Sequence, residues 1–178
     1  HTFTSSARKT FEIHNATDSD INVVFSNVNI VNTYQVVYDG RCIDTRNDHI
    51  NLTITNCTLT TTNVNAGSQP LTIGGSEQDG VNVVLTGTAI VAGDETAGKY
   101  GYAIITFVKT NFTIDNCDVT GYAALYVNQN DASGTTATIT NSRLNGINNY
   151  QDIADNSFGA IVVHATNVTV NVSGTQVT

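Results

Sequence analysis

A short strand-like frame recurs six times along the chain, and a repeat of this kind limits the architecture more than any other feature. The copies are NVVFSNVNI from Asn22, NLTITNCTL from Asn51, NVVLTGTAI from Asn82, NFTIDNCDV from Asn111, TATITNSRL from Thr136 and TVNVSGTQV from Thr169. Their starts lie 29, 31, 29, 25 and 33 residues apart. A second apolar segment precedes each one: TFEIHN from Thr10, QVVYDG from Gln35, PLTIGG from Pro70, AIITFV from Ala103, ALYVNQ from Ala124 and AIVVHA from Ala160. Each unit reads as strand, loop, strand, tight turn, short strand, loop.

Alternation fixes the faces, because side chains along a strand point to opposite sides with period two. The inward pairs are Val23/Phe25, Leu52/Ile54, Val83/Leu85, Phe112/Ile114, Ala137/Ile139 and Val170/Val172, all apolar. The next column is Asn27, Asn56, Gly87, Asn116, Asn141 and Gly174. Asn and Gly tolerate the left-handed backbone best, so a sharp turn is expected at each of these positions. The following column, Val28, Cys57, Thr88, Cys117, Ser142 and Thr175, holds small or medium residues and is expected to be buried. A further apolar column runs through Ile30, Leu59, Ile90, Val119, Leu144 and Val177. The outward Thr row is broken by Val24, Val84 and Asn171, which favours strand propensity over a lattice-matching face.

Three short strands per unit with no helical period predict an all-β parallel β-helix of about six coils. One coil cannot bury its own apolar face, whereas coils stacked about 4.8 Å apart share a continuous core. The frame seen in NLTITNC and NFTIDNC resembles the right-handed parallel β-helix repeats of the pectate-lyase-like superfamily, from about Thr10 to Thr178. That resemblance implies a fold shared by lyases, polygalacturonases, tailspikes, adhesins and surface proteins, so it does not imply one activity. Residues 1–178 read as a single solenoid domain, with 1–9 as a docking strand or small cap.

The net charge of −8 argues against nucleic acid, whose phosphates need clustered Lys and Arg. No apolar run approaches the ~18 residues of a membrane-spanning helix, so no membrane insertion is expected. A composition rich in Asn and Thr, with only 12% charged residues, suggests an extracellular or cell-surface setting. Sequons at Asn15, Asn51, Asn56, Asn111, Asn167 and Asn171 permit glycosylation without arguing for it.

The stretch YDGRCIDTRNDH concentrates charge, and reads as a long loop of the second coil. Arg41, Asp44, Arg46, Asp48 and His49 in it are the candidate binding residues for a glycan or a partner. The resemblance to pectate lyases would make an Arg the base and several Asp the Ca²⁺ ligands, but those sites draw on neighbouring coils, and no matching acids are apparent there. No Gly-His-Gly of the polygalacturonase kind occurs. No cofactor is expected. The acidic loops NATDSD, GSEQDG, AGDETAG and NYQDIADNS lack the spacing of a Ca²⁺ motif, leaving at most weak Ca²⁺ binding. Three cysteines are present. Cys57 and Cys117 sit two coils apart, roughly 9–10 Å, too far for a disulfide. Cys42 lies off the strand columns, and three readings stay open: a surface thiol, a thiol bonded to another subunit, or burial beneath the loop.

No capping element is evident at either end of the repeat, so both ends should offer unpaired strand edges. The resulting expectation is a non-enzymatic structural solenoid, self-associating end to end or joined to neighbouring domains of a parent chain. A glycan-binding adhesin and an acidic-glycan lyase or hydrolase are the alternatives.

Overall fold

The computed structural model describes residues 1–17, 19–46, 49–65, 67–74, 81–94, 99–147 and 159–178. The chain is a parallel β-solenoid whose three strands per turn build three parallel sheets. The first rung is β1 (Thr2–Ser5), β2 (Lys9–His14) and β3 (Ile21–Ser26). The second is β4 (Asn29–Asn32), β5 (Arg41–Arg46) and β6 (Ile50–Thr55), and the third β7 (Thr58–Thr61), β8 (Leu71–Ile73) and β9 (Val81–Thr86). The fourth is β10 (Ala89–Asp94), β12 (Tyr102–Thr106) and β13 (Thr110–Asp115), with β11 (Lys99–Tyr100) folded back antiparallel on β10. The fifth is β14 (Asp118–Gly121), β15 (Ala123–Val127) and β16 (Thr136–Thr140). The sixth is β17 (Arg143–Gly146), β18 (Ile161–Val163) and β19 (Thr169–Ser173), after which β20 (Gln176–Val177) adds to β17.

Sheet A runs β1-β4-β7-β10-β14-β17-β20, sheet B β18-β15-β12-β8-β5-β2, and sheet C β19-β16-β13-β9-β6-β3. Six rungs in B and C amount to about five full turns from first to last. The registers align the expected columns. In sheet C, Phe25 pairs with Ile54, Ile54 with Leu85, Leu85 with Ile114 and Ile114 with Ile139. In sheet A, Ile30 pairs with Leu59, and Leu59 with Ile90. Ile30, Ile54, Leu59, Leu85, Ile90, Ile114, Val119, Ile139 and Leu144 are fully buried, so the sheets close on one apolar core. Within the segment 1–9, β1 pairs in parallel with β4, Phe3 on Ile30, and so starts sheet A.

All six turn residues have positive φ, between 50° and 58°: Asn27, Asn56, Gly87, Asn116, Asn141 and Gly174. A Cβ in this region meets the carbonyl oxygen and costs about 1–2 kcal/mol, which Gly avoids and Asn best tolerates. Asn116→Ala is accordingly expected to lower stability by about 1–2 kcal/mol, and Asn116→Gly by under about 0.5 kcal/mol, in urea unfolding.

Two side-chain ladders reinforce the stack. On the outer face of sheet C, Asn51 donates to Asn22 at 3.1 Å, Asn82 to Asn51 at 2.8 Å and Asn111 to Asn82 at 3.0 Å. Thr136 continues the ladder by donating to Asn111 at 2.9 Å. Inside the turns, hydroxyls cap the backbone of the rung before. Cys57 N–H donates to Thr88 Oγ1 at 3.4 Å, Cys117 N–H to Ser142 Oγ at 3.0 Å and Ser142 N–H to Thr175 Oγ1 at 3.1 Å. The small buried column that contains the two cysteines therefore supplies acceptors as well as filling space.

The second rung departs from the sequence expectation. Its sheet B strand is β5 at Arg41–Arg46, not QVVYDG from Gln35. Val36, Val37 and Tyr38 are exposed, and Tyr38 has φ of 63°. The choice is made by neighbouring rungs: Ile43 pairs with Phe11 on one side and Leu71 on the other. Arg41–Arg46 of the charged stretch thereby form an interior strand of sheet B, between β2 and β8.

Candidate binding groove on sheet B

With β5 in place, the outward column of sheet B is Glu12, Asp44, Thr72, Ile105, Tyr126 and Val162. It is charged at one end and apolar at the other. Asp44 is wholly buried, and three cations converge on it: Arg41 Nη1 at 2.6 Å, Lys9 Nζ at 2.8 Å and Arg46 Nε at 2.9 Å. A buried carboxylate needs such partners, since desolvation of an unpaired charge is costly. Arg8 pairs with Asp39, while Arg41 Nε lies 3.3 Å from Asp39 Oδ1, near enough for charge attraction but without hydrogen-bond alignment. Arg46 also reaches Glu12 at 3.5 Å. Glu12 is held below the usual carboxylate range, chiefly by its hydrogen bond from Lys9. Four cations (Arg8, Lys9, Arg41, Arg46) face three acids (Glu12, Asp39, Asp44), so this patch carries an excess of one positive charge on a chain of net charge −8.

Beside this network lies a groove of about 360 Å³. Arg8, Arg41 and Arg46 line it from the first two rungs, Thr72 and Gly74 from the third, and Phe107, Gln129 and Asp131 from the fourth and fifth. Gln129 adopts φ of 69° and leads into the 3-10 turn Asn130–Ala132, which carries Asp131 to the groove. At Gly74, which lines the groove, a Cβ would meet only Thr45 O at 3.6 Å. Further along the face, Tyr102 packs on Tyr126 with ring centroids 5.0 Å apart, and Tyr126 meets His164 both edge-on and by a 2.9 Å hydrogen bond. Such a surface can hold a polar ligand by guanidinium and amide hydrogen bonds while an aromatic ring covers its apolar face.

The structure brings Arg41, Asp44 and Arg46 together and sets His49 apart. His49 lies at the corner between sheets B and C, with φ of 53° and Nδ1 3.0 Å from Asp20 Oδ1. Asp48 lies outside the described residues, as do residues 75–80, 95–98 and 148–158 and Asp18. Among the described residues, no group of three or more His, Cys, Asp or Glu is gathered to hold a metal, and no helix is long and apolar enough to cross a membrane. Arg8, Lys9, Thr72, Phe107 and Asp131 escaped the sequence reading, while Asp39 entered it only as one charge of the loop. Aligning RCIDTR with KTFEIH from Lys9, rather than QVVYDG with TFEIHN, would have placed Lys9 beside Arg41 and Glu12 beside Asp44.

Cys42 requires a correction. It is a strand residue with 0% exposure, its Sγ 3.3 Å from Thr60 O and 3.5 Å from Ile30 O. Neither a surface thiol nor a bond to another subunit fits this position, because β5 directs the side chain into the core. Burial pushes its thiol up from 9.0 to about 12. At pH 8 the native protein should leave Cys42 unlabelled by a disulfide reagent, with full labelling after unfolding. Above pH about 9 the unfolded chain ionises while the folded thiol does not, so its contribution to stability is intact below that pH and falls toward pH 12.

No protein family, no curated protein and no solved structure matches the chain.

Proposed function

We propose that this chain is a non-enzymatic structural solenoid of the extracellular cell surface, extended by end-to-end stacking of copies or set as a module in a longer surface protein. One observation carries the reading: columns that are fully buried within the stack become exposed at its end rungs. Phe3 next to Ile30 is 45% exposed, Val172 next to Ile139 43%, and Val177 next to Leu144 46%. These edges combine apolar surface with unpaired backbone, which favours pairing with another chain. A top edge on a bottom edge is a heterologous contact that propagates. The resemblance to surface-type members of the pectate-lyase-like superfamily and the polar, Asn- and Thr-rich composition support the same assignment. Arg41 and Arg46 both donate to the Asp44 carboxylate, which fits a structural role for them. Electron microscopy and light scattering over a range of concentrations should reveal filaments or a concentration-dependent rise in mass. A strictly monomeric particle at every concentration would falsify the assembly reading.

The groove favours a second reading, glycan binding. Three arginines, Gln129 and Asp131 around Phe107 form a polar rim with an aromatic wall. Glycan-array binding should be lost at least tenfold in Gly74→Leu, which adds a bulky side chain to the groove lining. An array without hits for the parent chain removes this reading.

A further inference from the structure

Sheet A contains one more strand along its path than sheets B and C, and this bears on how copies meet. The inference rests on the end-to-end reading above and adds the form of the junction. Both the first and the last described strand, β1 and β20, belong to sheet A. Suppose β2 and β3 of a second copy pair on β18 and β19 of the first. A single sheet A position then remains between β17 of the first copy and β4 of the second. Two strands compete for it, β20 of the first copy and β1 of the second. If both stayed, sheets B and C would each lack a rung, a gap of about 4.8 Å with unpaired backbone on both sides.

The two strands are equivalent in register. Thr2 pairs with Asn29 and Phe3 with Ile30, while Gln176 pairs with Arg143 and Val177 with Leu144. Asn29 N–H donates to His1 O at 2.9 Å, and Gln176 N–H donates to Ser142 O at 2.9 Å, the same bond at opposite ends of the stack.

We propose that β20 is a placeholder: on stacking it leaves β17, and β1 of a second copy takes its position, Thr2–Ser5 lying on Arg143–Gly146. Side-chain size supports the direction of exchange. Phe3, braced by Phe11 with ring centroids 5.4 Å apart, would place a larger apolar group on Leu144 than Val177 does.

Two periodic columns identify the partner as a second copy of this chain. The turn residues run Asn, Asn, Gly, Asn, Asn, Gly from Asn27 to Gly174, so Asn27 of the next copy resumes the cycle. In the outer ladder each Asn donates to the rung before it, and Asn22 of the next copy would donate in the same sense to Thr169.

Paired cysteines test the junction, since Thr2, Asn29, Arg143 and Gln176 occupy one exposed outward column. Thr2 and Arg143 sit at opposite ends of the stack within one chain. Adjacent rungs bring Cα atoms within the ~7 Å a disulfide needs. Under mild oxidation, Thr2→Cys with Arg143→Cys should give a ladder of linked copies on a non-reducing gel, and Asn29→Cys with Gln176→Cys should not. Deleting residues 176–178 should lower the concentration needed for assembly severalfold. Cys42, Cys57 and Cys117 are buried and should not interfere. Linkage by the second pair alone overturns the placeholder role of β20 and leaves the stacking reading standing. Filaments without linkage by either pair also overturn it. No filaments and no linkage in any variant overturn the stacking reading itself.

Discussion

Asp44→Ala should lower the stability of the folded chain by about 3–5 kcal/mol, the cost of removing the buried carboxylate on which three cations converge. Lys9, Arg41 and Arg46 all converge on this carboxylate, and the Lys9 and Arg41 side chains are themselves largely buried. Removing the acid leaves two cations with little access to water. Arg46→Gln should cost less than about 1 kcal/mol, because that side chain is over a third exposed and screened. Urea unfolding followed by circular dichroism checks both values. An Asp44→Ala loss below about 1 kcal/mol would mean that the cations relax to solvent and that the network does not hold the second rung in place.

Leu85→Ala is expected to cost about 2–5 kcal/mol through lost burial and the cavity left behind. Val172→Ala, in the same column of the sixth rung, should change stability by under about 0.5 kcal/mol, because its side chain is already solvated. The contrast tests the end-to-end reading as well. In filaments Val172 would be covered, so Val172→Ala should weaken assembly while leaving the isolated chain nearly unchanged. Equal losses at both positions in the isolated chain would show that the sixth rung is covered in solution without any second copy.

The columns are legible from sequence because each rung repeats one physical demand. Asn or Gly recurs where φ must be positive, and Leu, Ile, Val, Phe or Ala where sheet C faces the core. The groove was hidden for a related reason. QVVYDG has the local appearance of a strand, with two Val and a Tyr, while RCIDTR carries charges at three of six positions. Local propensity favours the first segment, yet the second lies in the sheet. Asp44 can be central and buried only because Lys9 of the neighbouring rung joins Arg41 and Arg46 around it. That compensation joins residues more than thirty positions apart (Lys9 to Arg41 and Asp44), and no short window contains it.

The sequence by itself determined the repeat, the parallel stacking, the six turn positions and the core-facing columns, since all of these follow from period and residue type within one rung. Tertiary structure alone decided the rest: which segment fills sheet B in the second rung, the burial of Cys42, the cation cluster on Asp44, and the equivalent sheet A places of β1 and β20. Each of these depends on what the adjacent rung offers in pairing partners, charge and space, and a strand's own residues do not specify its neighbours.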